Sequence, residues 1–483
     1  MRVATKRRRG GGGGVDRISS LPDDLLHSIL LRLPGGTAGA ARTSVLSRRW
    51  RRVWTGLPEL SFHHGGQPVL ATARAHDQID AALAACAALG AVERLEIHLL
   101  SRHNPGAARV SRWLRFASQR LTGELRLLLL SYGPMNGDDP RDSDVDGVVT
   151  VPLFERAKAI SMGLGHTIRF ELPSAGGGTF AELSSLSISS ARINGRELED
   201  VLSSRCPSLK ELSVVCPNLD GASDEITIRS ASLQKLEVKI FRNVVDRLQV
   251  STPMLQTLSL LVFCEVYISA PMLSELEWNC HYYDPSRHHL VEVGRHLRRL
   301  KVAAKWPPMA LVQRFDTFHE LNLNIEISWG AQEYERFLQN INQPVKCEVL
   351  VVTFMIQHAF KPTMLHLLRK FNGVRKLVVQ YYSRISMNDY SCSSSGCPCG
   401  WLESHRTDNL LLNSLEEVEV NSYEETDRKA ALVKLLCKCI ATSQKRVTVT
   451  VFEGRHDKYL GEKIRSICPP NSNFELMVKS YRG

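Results

Sequence analysis

Five cysteines near the carboxyl end have side chains suited to holding a metal ion: Cys392, Cys397, Cys399, Cys437 and Cys439. Thiolates are soft ligands, and a structural zinc site takes four ligands, usually from closely spaced cysteine pairs. The chain contains no C-x-x-C pair. We therefore expect no zinc site and interpret these residues as free or buried thiols.

Two other segments carry side chains with catalytic or ligand chemistry. His281, His288 and His289 lie near Asp284 in a loop-like segment, but neither H-E-x-x-H nor a strand-turn nucleophile accompanies them. The acidic segment 135–147 could chelate a cation, yet it lacks the calcium-loop spacing that ends in Glu. We interpret it as an exposed insertion loop. A phosphate-binding G-x-x-x-x-G-K-S/T is also absent, so we expect neither catalysis nor a cofactor.

The length and the charge restrict the class of protein. A chain of 483 residues exceeds one compact core, which stops growing near about 250–300 residues, so we expect several domains or one elongated repeat. The formal net charge is +11, but residues 1–62 supply +8 of it, from 12 Lys/Arg and 4 Asp/Glu. Since the rest is nearly balanced and has no groove-reading motif, we do not expect a nucleic-acid partner.

The amino-terminal tail, residues 1–15, has a composition that buries too little apolar surface to fold. It contains Lys6-Arg7-Arg8-Arg9 and then five glycines. The basic run is either a nuclear address or a solvated terminus. No apolar signal-peptide core follows it, and no stretch approaches the roughly 20 apolar residues of a membrane span. We expect a soluble protein of the nucleus or cytoplasm, without a membrane partner, whose 12 cysteines are mostly free.

Residues 18–62 begin with the pattern of an amphipathic helix. Pro22 suits the first helical position, where its missing N–H needs no partner. The two aspartates after it would lie against the positive end of the helix dipole. Apolar residues then recur at the spacing of one helix face, at Leu25, Ile29, Leu30 and Leu33, before a Pro-Gly-Gly breaker. We expect a helix that begins at about Pro22 and ends before that breaker.

Two more short helices are predicted in the same segment. One covers residues 40–46, and Ser47 is a good N-cap for the next. That third helix carries Trp50 and Trp54 one turn apart, with arginines between them. A domain of fewer than about 70 residues encloses too little surface to bury both tryptophans and the leucine row. Part of its apolar face should therefore meet a partner.

Three runs of this segment carry a family resemblance: LPDDLL-x-x-IL-x-x-L, SVLSRRWRRVW and LP-x-L-x-F. Together they resemble the F-box of plant F-box proteins. The resemblance implies docking on a Skp-type adaptor, which joins a cullin-RING ubiquitin ligase. The residues that match the adaptor-facing positions of the family are Leu21, Pro22, Leu25, Ile29, Leu30, Leu33, Val45, Leu46, Ser47, Trp50 and Trp54. From burial statistics alone, Leu26, Val45 and Val53 could equally fill the domain's own core.

A repeat begins at residue 92, with the template apolar-x-x-apolar-x-apolar. Copies start at Val92, Leu183, Leu209, Leu233, Leu255, Leu273, Leu297, Phe318, Cys347, Val374 and Leu415, with weaker copies at Thr122 and Ala157. From 157 to 374 the starts lie 18 to 29 residues apart, close to the period of leucine-rich repeats. The final apolar-x-apolar pair of each copy predicts a short strand, so stacked copies should build a curved parallel sheet. The irregular spacing resembles plant F-box proteins with leucine-rich repeats.

Other segments complete the predicted array. Residues 72–89 have helical spacing and should join the F-box to the repeats. Second short strands are predicted at 226–228, 248–250 and 266–268, where serine and proline turns follow, so the return side of those coils should be strand and turn. Residues 391–452 predict a strand, a helix and a strand that cover the open end of the array. This stretch resembles the FBD region of many plant F-box proteins with leucine-rich repeats.

These patterns predict an α/β protein in five parts. They are a basic tail (1–15), a three-helix F-box (16–62), a connecting segment (63–91), a curved leucine-rich-repeat solenoid with a parallel sheet (92–390) and a C-terminal α/β cap (391–483). The resemblance implies a non-catalytic substrate-recognition subunit of an SCF-type (Skp–cullin–F-box) ubiquitin ligase, with an unknown protein target on its repeats. One alternative is a non-degradative binding scaffold that uses the F-box only for assembly. Another is a nucleic-acid binder that uses the basic tail.

Overall fold

The computed structural model describes residues 18, 20–63, 69–70, 73–87, 90–101, 105–131, 147–165, 168–173, 178–215, 218–219, 225–241, 245–280, 282–302, 309–325, 331–354, 360–371, 373–381, 414–422, 433–436, 447–453, 462, 466 and 474–480. The predictions for the basic tail, for the acidic loop apart from Gly147, for His281 and for the five C-terminal cysteines fall outside these residues. No helix among the described residues has the length and apolar composition needed to cross a membrane.

The chain divides into two compact units, Met1–Arg192 and Ile193–Gly483. The helices of the first unit are α1 (Asp23–Leu30), α2 (Gly36–Arg42), α3 (Arg48–Val53), α4 (Ala73–Cys86) and α5 (Ala107–Arg120). Its strands are β1 (Glu59–Phe62), β2 (Val69–Leu70), β3 (Val92–Ser101), β4 (Leu121–Ser131), β5 (Gly147–Thr150), β6 (Ala159–Gly163), β7 (Ile168–Glu171) and β8 (Ser185–Ser189), and the two-residue β9 (Arg192–Ile193) lies at its end. The predicted joining helix at 72–89 is present as α4.

Parallel pairing builds two strips in the first unit. In the first main strip, β1 and β2 pair with β3, and β3, β4, β6 and β8 follow in order. β5 and β7 pair on the return side. Equivalent inward residues stack from strand to strand and are at most 6% exposed: Leu60, Leu95, Leu125, Ile160 and Leu186. This ladder of side chains is the core of the unit.

The second unit repeats the arrangement. Its helices are α6 (Gly195–Ser204), α7 (Met309–Val312), α8 (Ala331–Asn340) and α9 (Phe360–Lys370). Its strands are β10 (Glu211–Val215), β11 (Asn218–Leu219), β12 (Glu225–Arg229), β13 (Lys235–Lys239), β14 (Arg247–Ser251), β15 (Thr257–Leu261), β16 (Glu265–Ser269), β17 (Glu275–Trp278), β18 (His288–Leu290), β19 (His296–Val302), β20 (Thr317–Ile325), β21 (Cys347–Phe354), β22 (Lys376–Tyr381), β23 (Glu417–Ser422), β24 (Val447–Glu453) and β25 (Phe474–Ser480).

The strands of the second unit also pair in parallel. The second main strip runs β10, β13, β15, β17 and then β19 to β25 in order. The strands β12, β14, β16 and β18 form its return strip. All 13 copies of the repeat template coincide with strands of the main strips, and the three predicted second strands are β12, β14 and β16. The predicted mixed α/β fold with stacked parallel strands is therefore confirmed.

The C-terminal strands extend the second main strip. Residues expected to cover the end of the array instead pair in parallel, β22 with β23 and β23 with β24. Leu377, Val418 and Val449 continue the inward ladder and are fully buried. The further strand β25, which the sequence pattern did not predict, pairs with β24. The two predicted strands of this region are present as β23 and β24 and lengthen the sheet, while most of the predicted helix lies outside the described residues.

The F-box-like segment ends as a strand of the sheet. Its last residues form β1, in register with β3. The carbonyl of Pro58 accepts the N–H groups of Glu93 at 2.7 Å and Arg94 at 3.2 Å. From α2, the buried Thr37 accepts the N–H of Ser61 at 2.7 Å. The helices of this segment are thus fixed directly to the first strand.

Gly123 in β4 permits a close approach of two strands. It lies against β3, where the register of the pair shifts between Val92 and Arg94. A Cβ at this position would collide with the carbonyl oxygen of Glu93. We therefore expect Gly123→Ala to lower the free energy of unfolding by about 1–3 kcal/mol, the usual cost of overpacking.

Chemical denaturation of the full chain measures this loss. Gly90→Ala is the matched control, because a Cβ at Gly90 meets no atom of the described residues within 4 Å. Equal stability of the two variants would contradict the close approach.

Candidate functional site

The first helix of the F-box-like segment begins one residue later than predicted. Pro22 is the N-cap of α1, with φ −58° and ψ 153°, and Asp23 is the first helical residue. Asp23 accepts a hydrogen bond at 2.5 Å from the guanidinium of Arg49, which also donates to the carbonyl of Leu21 at 2.5 Å. Arg49 therefore ties α3 to the start of α1.

The segment has a core of its own. Leu26 and Leu30 of α1 are at most 1% exposed. Trp50 and Val53 in α3 and Trp54 in the following 3₁₀ turn are also buried. The helix α1 contacts both of these elements. Two leucines and both tryptophans thus fill the small interior.

The apolar residues of α1 do not all face that interior. Leu25 is 51% exposed and Ile29 is 40% exposed. Successive helical residues are rotated by about 100°, so Leu25 and Ile29 share one side of the helix while Leu26 and Leu30 share another. The prediction of a single apolar face is therefore wrong. The apolar residues of α1 are divided between a side that faces the core and a side that faces solvent.

A second exposed apolar pair lies before α3. The helix expected at 40–46 begins earlier, as α2, and ends in a 3₁₀ turn, Thr43–Val45. Val45 is 85% exposed, and Leu46, which follows the turn, is 65% exposed. We call Leu25, Ile29, Val45 and Leu46 the exposed apolar set.

The 11 predicted adaptor contacts divide by burial. Pro22, Leu25, Ile29, Val45, Leu46 and Ser47 are exposed, Leu21 and Leu33 are half-buried, and Leu30, Trp50 and Trp54 are buried. A side chain at most 8% exposed offers little surface to a partner. The three buried residues lie in the core of the chain alone and support the surface from inside. Adaptor contact stays a prediction for all eleven residues.

Burial also shows which residues fill the core of the domain, among those that the sequence left open between core and surface. Leu26 and Val53 are core residues, whereas Val45 faces out. The sequence prediction missed two exposed apolar residues, Ile18 and Leu31, at 53% and 41% exposure. Neither falls on the predicted helix row. The small size of the domain was the one indication that further apolar residues would be exposed, because so small a core cannot enclose every leucine.

The predicted N-cap of α3 is present. Ser47 has an extended backbone, and its Oγ accepts the N–H of Trp50 at 3.4 Å. The helix has only six residues, so its stability depends on its cap and on the packing of Trp50.

The outward face of the second main strip carries charges that are paired across strands. Lys301 donates to Glu277 at 2.6 Å, and Lys376 donates to Glu419 at 2.7 Å. Burial alone would raise the pKa of Glu277, but hydrogen bonds from Lys301 and Asn279 together hold it below its usual value. The face is therefore polar, and its charges largely neutralise one another. Such a face is better suited to contact with a protein than with a polyanion.

The histidines considered for catalysis have packing roles. His288 is 2% exposed, its ring meets Trp278 edge-on at 5.1 Å, and its Nδ1 accepts the N–H of Asp284 at 2.9 Å. Burial lowers the pKa of His288, so the ring is neutral at physiological pH. His289 stacks on Tyr267 at 4.5 Å. These contacts connect the turn at Asp284 with the three strands β16, β17 and β18.

The described cysteines are also packing residues. Cys86, Cys206, Cys264, Cys280 and Cys347 are free and buried. Burial raises the pKa of Cys86 to about 11 and that of Cys280 to about 12. A thiol with so high a pKa holds almost no thiolate at neutral pH and is a poor nucleophile.

Comparison with known proteins matches two parts of the chain. Residues 18–62 match the family model described as F-box domain. Residues 110–321 match the model described as the LRR repeats of FBD-associated F-box protein At5g56370.

Similar proteins occur in Arabidopsis thaliana. The chain is 33% identical over 237 residues to F-box/FBD/LRR-repeat protein At2g04230, covering 47% of this chain and 48% of that protein. It is 29% identical over 252 residues to putative F-box/LRR-repeat protein At4g15060, covering 51% and 55%. It is 60% identical over 50 residues to F-box protein At5g03100, covering 10% and 16%. The chain thus spans about half the length of the first two relatives.

The N-cap gives a prediction about α3. We expect Ser47→Ala to destabilise the helix by about 1 kcal/mol, because the first-turn N–H of Trp50 loses its acceptor. Ser47→Asp should retain the cap. Hydrogen exchange of the α3 amides measures the effect.

Ser28→Ala is the control, since the hydroxyl of Ser28 donates to the carbonyl of Asp24 on the exposed side of α1. If exchange in α3 is the same in Ser47→Ala and the wild type, the helix does not depend on its cap.

Proposed function

We propose that this chain is the substrate-recognition subunit of an SCF-type ubiquitin ligase, because its sequence matches the family of F-box proteins with leucine-rich repeats. F-box domains generally bind Skp-type adaptors, and proteins of this family are generally non-catalytic subunits. In this proposal the F-box holds the adaptor, and through it the cullin-RING ligase, while the repeats hold a protein target.

The exposed apolar set is the observation that carries the proposal. The domain has already filled its core with Leu26, Leu30 and the two tryptophans, yet four aliphatic side chains stay 40–85% exposed. Covering each of them with a partner is worth roughly 1.5–3 kcal/mol. Exposed aliphatic residues concentrated in so small a domain favour a protein interface.

The attachment of the F-box to the sheet fits this role. Thr37 and Pro58 bond to the first two strands of the first main strip, so the helices and these strands move together. A fixed connection keeps whatever the strip binds at a defined distance from the adaptor. Such tethering raises the local concentration of target near the ligase without any chemistry in this chain.

The first experiment tests adaptor binding. Leu25→Ala with Ile29→Ala should lose about 2–5 kcal/mol of affinity for a recombinant Skp-type adaptor, the usual value for truncating two aliphatic side chains that become buried. Both side chains are exposed in the chain alone, so the fold should persist.

The matched control is Met254→Ala with Met272→Ala. These methionines are 42% and 54% exposed, close to Ile29 and Leu25, but lie in the repeats. Undiminished adaptor binding by a folded Leu25/Ile29 double variant would remove the assignment.

The second experiment tests degradation of the target in cells. Deleting the F-box would strip β1 from β3, so we use the full chain with Leu25→Asp and Ile29→Asp. This variant should hold the target without recruiting the ligase. When it is overexpressed, targets captured on it should live longer and carry fewer ubiquitin conjugates.

A chase of target abundance with the wild-type chain, the variant and neither chain measures the effect. Identical decay in all three, with the target bound, would favour the non-degradative scaffold instead.

A further inference from the structure

The third helix of the F-box carries more positive charge than the domain neutralises. The F-box residues 18–62 hold six arginines and three carboxylates. Four of those arginines lie in α3, where Arg49 pairs with Asp23. The other three are exposed and have no carboxylate partner among the residues that the structure describes: Arg48, Arg51 and Arg52. We call these three the arginine cluster.

The arginine cluster opposes the stability of its own helix. Arg48 is one turn from both Arg51 and Arg52, and like charges at these spacings repel. Arg48 also lies in the first turn, at the positive end of the helix dipole, where a cation is unfavourable. The helix dipole stabilises the charges of Arg51 and Arg52, which lie in the last turn, but it destabilises the charge of Arg48. An anion outside the domain would relieve both penalties.

The cluster borders the exposed apolar set. The Nε of Arg51 donates to the carbonyl of Ser44 at 3.2 Å. Ser44 lies in the 3₁₀ turn that ends at Val45, the most exposed residue of that set. The guanidinium of Arg51 therefore lies beside the surface assigned to the adaptor, and Leu46 leads directly into α3.

We propose that the arginine cluster is the charged rim of the adaptor-binding surface and binds carboxylates on an acidic face of the adaptor. This inference rests on the proposed function and adds the chemistry of the partner. Guanidinium groups bind carboxylates through two parallel hydrogen bonds. Charges at an interface rim mainly raise the rate of association. A protein partner is favoured over a nucleic acid because the neighbouring exposed side chains, Val45 and Leu46, are aliphatic and cannot stack on bases.

The test measures association and dissociation rates with a recombinant Skp-type adaptor at about 50 mM and about 500 mM salt. The variant is the full chain with Arg48→Glu, Arg51→Glu and Arg52→Glu. We expect the association rate to fall about tenfold or more at low salt and much less at high salt, with a small change in the dissociation rate. Arg48→Glu with Arg52→Glu spares the Arg51–Ser44 bond and should show a smaller fall in the same direction.

The charge-matched control is Arg115→Glu, Arg196→Glu and Arg336→Glu, three exposed arginines on α5, α6 and α8. It should bind the adaptor at the wild-type rate. If the folded cluster variant associates within twofold of the wild type at low salt, or if the control falls equally, the proposal is overturned while the adaptor assignment stands. If the wild type binds no adaptor at either salt concentration, the proposed function fails as well.

A last arm uses duplex DNA and a folded RNA as probes. If the wild type binds either one, and the cluster variant loses that binding but keeps its adaptor association rate, the cluster is a phosphate site and the proposal is overturned. A cluster variant that loses only adaptor association supports it.

Discussion

The parallel backbone pairing of β1 with β3 is the constraint on which the amino-terminal architecture depends. Because the Pro58 carbonyl bonds two successive N–H groups of the next coil, the polypeptide that leaves the F-box is already a sheet strand. Leu60 then begins the inward ladder that Leu95 continues. The same backbone bonds that start the sheet also orient the helices.

This arrangement explains how so small a helical domain can leave aliphatic residues uncovered. An isolated bundle of this size would need every apolar side chain for its own core. Here the neighbouring strand supplies part of the missing stability, through the bond between Thr37 and Ser61 and the burial of Leu60. Leu25 and Ile29 are then free to face a partner. The sheet therefore supports the exposed surface indirectly.

The sequence allowed the repeats to be predicted because their signal is local. Each strand needs one apolar-x-apolar pair, and its inward direction follows from the alternation of side chains. The surface of α1 was harder to predict. Periodicity identifies the apolar side of a helix but not whether the core or a partner covers it, so Leu30 and Leu25 were grouped together although one is buried and one exposed.

Two other differences between sequence and structure have the same origin. The residues of β1 carried a motif of the F-box, and nothing local indicated that they would pair with β3. The strands β23 and β24 were predicted, but the register of β23 with β22 depends on a long-range stacking of Leu377 on Val418. When two paired strands are distant in sequence, the residues of neither strand indicate which strand it will pair with. The strands of the repeats were predictable from the sequence, whereas the helices α5 to α9 and the strand β25 were not predicted.

The buried cysteines provide a way to follow the opening of individual coils. Reagents that alkylate or oxidise sulfur need a thiolate in contact with solvent, and these thiols have high pKa values and little exposure. Each one therefore reacts only when its own part of the chain opens. Cys86 reports on α4, Cys280 on the segment after β17 and Cys347 on β21. The rate of labelling at each of these sulfurs therefore measures how often the surrounding segment opens. The cysteines that serve as probes are already present in the sequence.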